Sequence, residues 1–486
     1  MDSGTGSTIL FFDDWYLQRR ENLIRRIGRP NLISEGIFVD PDLDASWGYP
    51  TVFQDTASGQ WRCLYEGQIH RESSKPGRKV AHVAVAIESS DGVRWEIPDL
   101  KDKVMIPDRI RPHQVLPLES FGEWGPCFYD SHTNNAQERL KAFVVSYDHD
   151  KGVFPSLDHA GTTTPHSPLY VSSDGLSWKL LEGASWHPSG IDPSVSAFWN
   201  PITESYVLAA RPNFGDRRIS VYETRDWRNF SEPEVAIRTD AQDPPASETY
   251  GMPIFPYGDI FVGLLWIYSP KRSRYGKVHC QLAYSYNGKH FQRALREQFL
   301  PSAAPGDFGY GCIYPSSMVV TEDHKIRIYS SASKGEHAQL IGRPDLGEGA
   351  ILLHELRLDG FSYFEPPGGP GSFTTRVFYF HGEKLSLNVQ APNGEVRVQI
   401  TENDGQPCEG YTFEDCLPFK GDDLFWEPKW RNGATVSAFS GKAVRLEVQL
   451  YNGRIYAIRG DFDVIHAGEY KQLTEHGNRP KPIYER

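Results

Sequence analysis

Short runs of apolar or alternating residues, separated by glycine, proline, asparagine and aspartate, fill most of the chain. Runs of this length and pattern predict β-strands. The first unit holds YPTVFQD (49–55), QWRCLYE (60–66) and AHVAVAIE (81–88), followed by a tight turn and a fourth run, VRWEI (93–97). The same order recurs in four further units along the chain. The pattern therefore predicts an all-β protein built from repeated four-stranded units.

Each unit contains the same turn signature. A Ser, Thr or Arg is followed two residues later by an Asp or Asn, and an aromatic residue comes four positions after that. The Asp or Asn side chain can accept backbone N–H groups within the turn, and a following glycine can adopt positive φ. Repeats of this kind are typical of propellers and solenoids, and five four-stranded units predict a five-bladed β-propeller. We expect a structural role for the five turn residues, which are Asp91, Asp174, Asp226, Asn287 and Asp359.

A stretch of proline and glycine, PPGGPGS, marks the end of the repeats. Strand-like runs continue beyond it without the turn signature, which predicts a C-terminal β-sandwich. The predicted domains are an N-terminal strand and lead-in packed on the propeller (1–45), the propeller itself (46–365), the β-sandwich (372–470) and a C-terminal tail (471–486).

Charge and composition argue against several classes of function. The formal net charge is -12 and no Lys/Arg-rich run occurs, so no nucleic-acid partner is predicted. No apolar stretch is long enough for a membrane-spanning helix, and the N-terminus lacks the features of a signal peptide. These features favour a cytoplasmic protein, with a processed secreted form as the alternative. The six cysteines show no CxxC spacing, and most lie within apolar strand patterns, which predicts reduced thiols, with disulfides as the alternative.

Candidate catalytic residues follow from the predicted propeller. Residues that lead into the first strand of each blade line the cavity at one end of such a fold. In this chain each of these positions carries an acidic residue beside aromatic residues, and turn capping is the alternative role for each. The five acidic residues are Asp44, Glu123, Asp192, Glu248 and Asp307.

Clustered carboxylates among aromatic side chains are the groups that glycoside hydrolysis requires. Like charges held close together raise the pKa of one member, which then can act as an acid. Aromatic residues at these positions can stack on sugars or pack between blades, and they are Trp47, Tyr49, Trp124, Tyr250 and Tyr310. Loops between the second and third strands add polar groups at the same end, namely Glu66, His70, Asp148, His149, His166, Arg211, Lys334 and His337. These residues lack the spacing of a zinc site, so neither a catalytic metal nor a cofactor is predicted, and a structural Ca²⁺ is left open.

Several motifs carry a resemblance to known enzymes. They are the opening FFDDWYL, GYPTVFQD in the first unit, RDWRNFSEP (225–233), ETYGMPIFPYGDIFVGLLWIY (248–268), LAYSYNGKHFQR (282–293) and GYTFEDC (410–416). With these motifs the chain resembles the five-bladed propeller glycoside hydrolases of families 32 and 43, the former with a C-terminal β-sandwich. It is most similar to a planctomycete-type group with a family 32-like N-terminal domain.

The resemblance implies roles for individual residues. Glu248 matches the acid/base glutamate of these families, and Asp192, in an Asp-Pro context, matches their transition-state stabiliser or pKa modulator. The first-blade aspartate has no clean match because the WMNDPNG motif of family 32 is absent. Asp44, or Asp13 and Asp14 from the N-terminal strand, is the alternative for the second catalytic carboxylate. Because of this departure, the resemblance does not predict whether the configuration at the anomeric carbon is retained or inverted.

The resulting hypothesis is an exo-acting glycoside hydrolase that removes a terminal sugar, of furanoside or galactoside type by resemblance alone. One alternative is a glycoside phosphorylase, as in the five-bladed propellers of family 130. Its anion site would use Arg211, Arg217 and His337. The other alternative is a carbohydrate-binding propeller without catalysis. All three predict a small-molecule or oligosaccharide ligand, and the sequence also allows a homo-oligomer.

Overall fold

The computed structural model describes most of the chain, with some strand residues defined by their backbone alone. Of the described residues, nearly all belong to strands and turns, so the all-β prediction is confirmed. Three 3₁₀ turns are seen, at Ser34–Gly36, Ala136–Glu138 and Val436–Phe439. Within this part of the chain, no helix is long and apolar enough to cross a membrane. The described residues are 6–46, 48–70, 80–106, 109–116, 123–124, 127–145, 167–186, 196–212, 216–270, 276–337, 349–431, 433–466 and 469.

The chain divides into two compact units. Unit 1 takes the described residues of Met1–Arg29, Tyr257–Ile260 and Arg357–Arg486. Unit 2 takes those of Pro30–Pro256 and Phe261–Leu356. The described residues up to Arg29 thus group with the C-terminal strands, and the rest of the predicted lead-in (30–45) groups with the repeats.

Unit 2 contains five successive groups of antiparallel strands, one from each sequence repeat. We number these groups as sheets 1 to 5 in chain order. Sheets 4 and 5 are joined by a single parallel bridge between Val278 and Cys312, and sheet 5 gains an outer strand from the N-terminal segment. The strands are Ala45–Ser46, Thr51–Gln54, Trp61–His70 and Val80–Ser89 in sheet 1; Glu123–Trp124, Phe128–Tyr129, Leu140–Val145, Ser167–Ser172 and Lys179–Trp186 in sheet 2; Ser196–Asn200, Ser205–Ala210, Ile219–Thr224 and Glu234–Ile237 in sheet 3; Glu248–Gly251, Ile254–Tyr257, Ile260–Pro270, Gly276–Ser285 and Gln292–Arg293 in sheet 4; and Cys312–Val320, Lys325–Ser333, Gly349–Arg357 and Asn31–Leu32 in sheet 5.

The strand Trp61–His70 shows why these runs carry apolar residues at nearly every position. Leu64 packs between sheets 1 and 2, whereas Cys63 and Tyr65 point to the other face and pack between sheets 5 and 1. A strand that is buried on both faces has a continuous apolar pattern rather than an alternating one. Burial of each large aliphatic side chain contributes about 1.5–3 kcal/mol, so these layers dominate the stability of unit 2.

Apolar layers lie between each sheet and the next, and one further layer lies between sheet 5 and sheet 1. The order of packing is therefore cyclic. Representative buried pairs of residues from the two facing sheets are Leu64 and Leu140, Phe143 and Leu208, Val207 and Leu265, Trp266 and Tyr314, and Tyr329 and Cys63.

Four of the five turn signatures share one hydrogen-bond pattern. In the first, Oδ1 of Asp91 accepts the N–H groups of Val93 (2.7 Å) and Arg94 (2.9 Å). Oγ of Ser89 accepts the N–H of Gly92 (2.9 Å), whose φ is +70°. The turns are therefore closed by their own side chains, as the sequence predicts. The two distances corresponding to those of Asp91 are 2.9 and 3.1 Å for Asp174, 2.9 and 2.8 Å for Asp226, and 2.9 and 3.0 Å for Asn287.

The fifth signature, in unit 1, folds differently. Asp359 itself adopts positive φ (+59°), and its carboxylate is fully buried. Tyr257 Oη donates to Oδ1 of Asp359 at 2.7 Å, and Arg459 Nε donates to Oδ2 at 3.1 Å. The first position of this signature is Arg357 rather than Ser or Thr, so it has no hydroxyl to close the turn. Long-range partners replace the local bonds of the other four turns.

Unit 1 contains one hydrogen-bonded sheet of nine strands. Its longest strand, Val377–Thr401, pairs with three others. Inward residues such as Val396, Val398 and Ile400 are fully buried, and the intervening residues are polar. The strands are Ser7–Leu10, Leu17–Glu21, Ile24–Ile27, Ser362–Glu365, Pro370–Thr375, Val377–Thr401, Phe419–Trp426, Ala443–Tyr451 and Arg454–Ile465.

All six cysteines are buried free thiols. Burial raises the pKa of Cys63 and Cys280, because a thiolate is poorly solvated inside an apolar layer. Cys63, Cys280 and Cys312 therefore serve as small apolar residues of strands, whereas Cys127, Cys408 and Cys416 are buried outside the strands.

Candidate active site

Glu248 begins the first strand of sheet 4 and is bound by an arginine. Its Oε2 pairs with Nη1 of Arg217, and both side chains are partly exposed. The side chain of the residue after Glu248 fixes the backbone of Arg217, because Thr249 Oγ1 donates to the carbonyl of Arg217 at 3.0 Å. The guanidinium of Arg217 also lies over two rings, with its Cζ 5.7 Å from the centroid of Tyr250 and 5.5 Å from that of Tyr268.

A cluster of aromatic rings from sheets 4 and 5 adjoins this ion pair. Tyr250 packs on Tyr268 and Tyr314, with centroids 6.0 and 5.9 Å apart. Tyr49, from the lead-in of sheet 1, stacks on Trp266 at 5.0 Å and contacts Tyr314 edge-on at 6.0 Å. Aromatic contacts of this kind are each worth about 0.5–1.5 kcal/mol beyond burial, so the cluster is a rigid and largely buried support beside Glu248, with Tyr49 partly exposed.

His337 is packed into the cluster and is electrostatically tuned. Its ring lies 4.9 Å from Tyr250 and 5.2 Å from Tyr268, and its Nδ1 is 3.2 Å from the phenol oxygen of Tyr314. Burial, followed by the positive charges of Arg217 and Arg211, lowers the pKa of His337 to about 4. The imidazole is therefore neutral at neutral pH and can exchange hydrogen bonds without carrying charge.

Arg211 approaches the same ring as Arg217. Its guanidinium carbon lies 4.4 Å from the centroid of Tyr250, and its Nη1 donates to the Tyr250 carbonyl at 3.0 Å. Arg211 is buried. The structure thus brings together Glu248, Arg211, Arg217, Tyr250 and His337, which the sequence placed on two different sets of loops.

Carboxylates of sheet 1 lie in two different settings. Glu66 belongs to the strand Trp61–His70 rather than to a loop, is buried, and pairs with His82. Asp44 is exposed, and its N–H donates to the carbonyl of Gln68 at 3.0 Å. The strand pairing next to Asp44 fixes its backbone.

The loop between sheets 4 and 5 carries two more predicted site residues. Asp307 is exposed, and its carbonyl accepts the N–H of Tyr310 at 3.2 Å. Nζ of Lys277 lies 3.4 Å from the centroid of Tyr310, so this ring is covered by a cation.

Asp13 and Asp14 lie in unit 1 and make local contacts there. Oδ1 of Asp13 accepts the N–H of Trp15 at 2.8 Å. The carboxylate of Asp14 pairs with Arg20, at 3.1 Å, and with Arg25. These contacts give both aspartates a structural function in the N-terminal strands, and their proposed catalytic role remains a prediction.

Several predicted site residues lie outside the described part of the chain. They are Trp47, Asp148, His149, His166 and Asp192. For His70, Glu123 and Trp124 the structure defines only the strand that holds them. Within the described residues, no group of three or more His, Cys, Asp or Glu residues is arranged to hold a metal ion.

Sequence reasoning missed four aromatic or basic members of this site. The three aromatic ones are buried core residues that hold the rings of Tyr250 and His337 in place, so their sequence pattern is that of core strands. The four residues are Trp266, Tyr268, Lys277 and Tyr314.

Comparison with known proteins gives structural likenesses only. No family model and no curated protein sequence matches the chain. An N-acetylgalactosamine deacetylase from F. plautii in complex with blood group B trisaccharide has 14% identity and a TM-score of 0.46, covering 69% of this chain and 96% of its own. The Bombyx mori GH32 beta-fructofuranosidase has 13% identity and a TM-score of 0.44, covering 89% of this chain and 93% of its own. The endo-arabinase from Bacteroides thetaiotaomicron has 11% identity and a TM-score of 0.40, covering 65% and 96%. Likenesses at these TM-scores assign no activity to the chain.

Proposed function

We propose that this protein is a glycoside hydrolase in which unit 2 forms a five-bladed β-propeller and Glu248 is one of the catalytic carboxylates. The observation that carries the proposal is the position of Glu248 at the entry of sheet 4, partly exposed, beside a rigid aromatic cluster and two arginines. The cyclic order of the apolar layers supports the propeller. The C-terminal β-sandwich is the corresponding proposal for unit 1.

The proposed chemistry needs two carboxylates on opposite sides of the scissile bond. One protonates the leaving oxygen, and the other attacks the anomeric carbon or activates water. Glu248 takes the first role in this scheme, with Asp192 as its electrostatic or base partner and Asp44 as the proposed second catalytic carboxylate. For Glu248 to deliver a proton, its ion pair with Arg217 has to open when the sugar binds. Arg217 then acts as a positioning residue for the carboxylate.

The rings beside Glu248 suit a sugar ligand. Tyr49 is partly exposed and packs on Trp266 and Tyr314, so its orientation is fixed before the ligand arrives, whereas Tyr250 is buried and lies under the two arginines. Neutral His337 can donate to or accept from a sugar hydroxyl. Removal of one terminal sugar from a furanoside or galactoside is the more specific form of the proposal, and it stands on the family resemblance alone.

Replacement of Glu248 by Gln tests the proposal. The change keeps the size of the side chain and removes the group that carries the proton. We expect loss of turnover across a panel of aryl glycosides and oligosaccharides, with the thermal midpoint nearly unchanged because Glu248 is partly exposed. Saturable glycan binding without any product in the unaltered protein would instead support a binding propeller.

A glycoside phosphorylase is the second candidate. It is favoured by one observation, the convergence of Arg211, Arg217 and His337 on Tyr250 beside Glu248. A phosphorylase needs such a basic site for phosphate. A rate that rises with phosphate concentration, and a sugar phosphate among the products, would show that the protein catalyses phosphorolysis rather than hydrolysis.

A further inference from the structure

Four basic side chains at the end of unit 2 that holds Glu248 each lie over an aromatic ring. Nζ of Lys277 is 3.4 Å from the ring centroid of Tyr310, and Nζ of Lys334 is 4.5 Å from that of Phe308. The two others are the arginines over Tyr250. A cation over a ring face is held in place by the ring quadrupole. We call this set the cationic arc, and its members are Arg211, Arg217, Lys277 and Lys334.

Backbone and ring contacts of His337 connect the segments that carry the members of the arc. The N–H of His337 donates at 2.8 Å to the carbonyl of Gly276, the residue before Lys277. The ring of His337 contacts Tyr250, which carries both arginines. Lys334 lies in the same short segment as His337, just after the strand Lys325–Ser333. Contacts of His337 thus connect the two lysine-bearing segments with the ring on which both arginines lie.

The arc differs in charge from the molecule as a whole. The protein carries a formal net charge of -12. Four described carboxylates share the segments of the arc. Glu248 is bound by Arg217, Asp216 pairs with Arg218 at 2.6 Å, Asp307 is exposed and Glu336 is partly exposed. The lowered pKa of His337, to which both arginines contribute, is consistent with a positive potential inside the arc.

We propose that the cationic arc binds the anionic groups of an acidic oligosaccharide, which makes uronate-containing glycans the substrate class. This inference rests on the proposed function, because it names the substrate of the same site. Guanidinium groups bind carboxylates with paired hydrogen bonds, and lysines add point charges further along the chain of sugars. The spread of the arc over several segments fits a ligand with more than one carboxylate. Inorganic phosphate is the other source of an oxyanion at this site.

The test compares the binding of tri-galacturonic acid and of its methyl-esterified trimer to the full-length protein by calorimetry at several salt concentrations. The variants are Lys277→Gln and Lys334→Gln, which remove the charge and keep a polar, slightly shorter side chain. Lys179→Gln, at an exposed strand position of sheet 2, is the matched control. We expect the acidic trimer to bind at least about tenfold more tightly than the ester, since charge-assisted hydrogen bonds are the strong ones. Each arc variant should weaken binding of the acidic trimer by about five- to tenfold and reduce its salt dependence, whereas the ester and the control change little.

Three results would overturn the inference. The first is equal affinity for acid and ester, and the second is unchanged affinity in both lysine variants that keep the thermal midpoint of the original protein. The third is saturation of the arc by inorganic phosphate, lost in the variants, with no preference for the acidic trimer. Turnover of neutral glycosides that depends on Glu248 but not on the arc would support the proposed function and contradict the acidic substrate. Tight binding of the acidic trimer without turnover would support the arc as an anion site and contradict the proposed hydrolysis.

Discussion

The phenol oxygen of Tyr314 lies 3.2 Å from Nδ1 of His337, inside the aromatic cluster beside Glu248. Burial is the largest effect on both residues. It raises the pKa of Tyr314 well above its usual value and lowers that of His337 to about 4, with Arg217 and Arg211 adding to the second shift. The pair is therefore neutral over the whole physiological range.

A neutral His337 predicts a specific pH dependence of stability. The unfolded chain protonates this histidine near its ordinary pKa of about 6.5, whereas the folded protein resists protonation until about pH 4. The unfolded state binds more protons in this window, so stability is complete above pH 6.5 and falls as the pH drops toward 4. The loss is at most about 1.4 kcal/mol per pH unit for one such group.

Nuclear magnetic resonance of the imidazole and thermal unfolding check this prediction. The His337 resonance should not titrate between pH 5 and 8. The variant His337→Gln should lose less stability between pH 6.5 and 4 than the original protein does. His354 provides the control, because burial also lowers its pKa to about 4. His354→Gln should reduce the loss of stability in acid by a similar amount without changing the site. A His337 resonance that titrates near pH 6.5 would contradict the described packing.

The turn of sheet 3 predicts a second outcome. Backbone bonds from Asn229 and Arg228 lower the pKa of Asp226 to about 2. Asp226→Ala should destabilise the protein by about 1 kcal/mol, as loss of a capping side chain does. Asp226→Asn should be nearly neutral, because Asn287 makes the same two bonds in the neighbouring turn.

The contribution of Asp226 to the stability of the folded protein depends on pH. The folded pKa lies below the unfolded one, so the contribution of Asp226 is present above about pH 4 and is lost as the pH falls toward 2. The variant Asp226→Ala lacks this contribution at every pH. Thermal midpoints of the original protein and of Asp226→Ala should therefore converge in acid, and a constant difference between them would refute the assignment.

Lys141 forms a buried ion pair that predicts a large effect. Its Nζ lies 2.7 Å from Oδ2 of Asp130, both side chains are almost fully buried, and Tyr206 donates to the same oxygen at 2.7 Å. Lys141→Met would leave the carboxylate buried without its cation, which costs about 3–5 kcal/mol. Thermal or denaturant unfolding measures the change.

The exposed pair of Arg94 and Asp91, at 3.2 Å, provides the control. Arg94→Met should cost less than about 1 kcal/mol, because water screens exposed ion pairs. Similar losses in Lys141→Met and Arg94→Met would show that the pair between sheets 2 and 3 is not desolvated as described.

The role of Glu248 as an acid predicts a dependence on the leaving group. A general acid matters most when the departing oxygen is basic. Glu248→Gln should therefore lose at least about a hundredfold in rate on alkyl glycosides and far less on dinitrophenyl glycosides. An equal loss on both substrates would assign Glu248 to the nucleophile or base instead.

The sequence predicted those features that depend on local bonding. The turns at Asp91, Asp174, Asp226 and Asn287 close on their own backbone, so four or five residues suffice to specify each. The contacts of the turn at Asp359 were not predictable in this way, because its carboxylate binds residues that are distant in the sequence. Pairing of the N-terminal strands with the C-terminal ones depends on such long-range contacts as well.

The candidate site was predictable only in part. Glu248 and Tyr250 stand at a strand entry that the repeat identifies, and Arg211 follows from the matching loop. Tyr314 and Trp266 lie within apolar strands, where a residue that packs between sheets and one that faces a ligand have the same pattern. Only the three-dimensional contacts separate these roles.

The central claim is that Glu248 is a catalytic residue at the site formed with Arg217, Tyr250 and His337 in unit 2. Its most direct test is the turnover of the original protein and of Glu248→Gln on one panel of glycosides and acidic oligosaccharides, followed by product chromatography, with thermal midpoints measured in parallel. We predict product from the original protein, at least about a thousandfold less from the variant on natural substrates, and midpoints within a few degrees of each other. Equal product formation by the two proteins would contradict the claim.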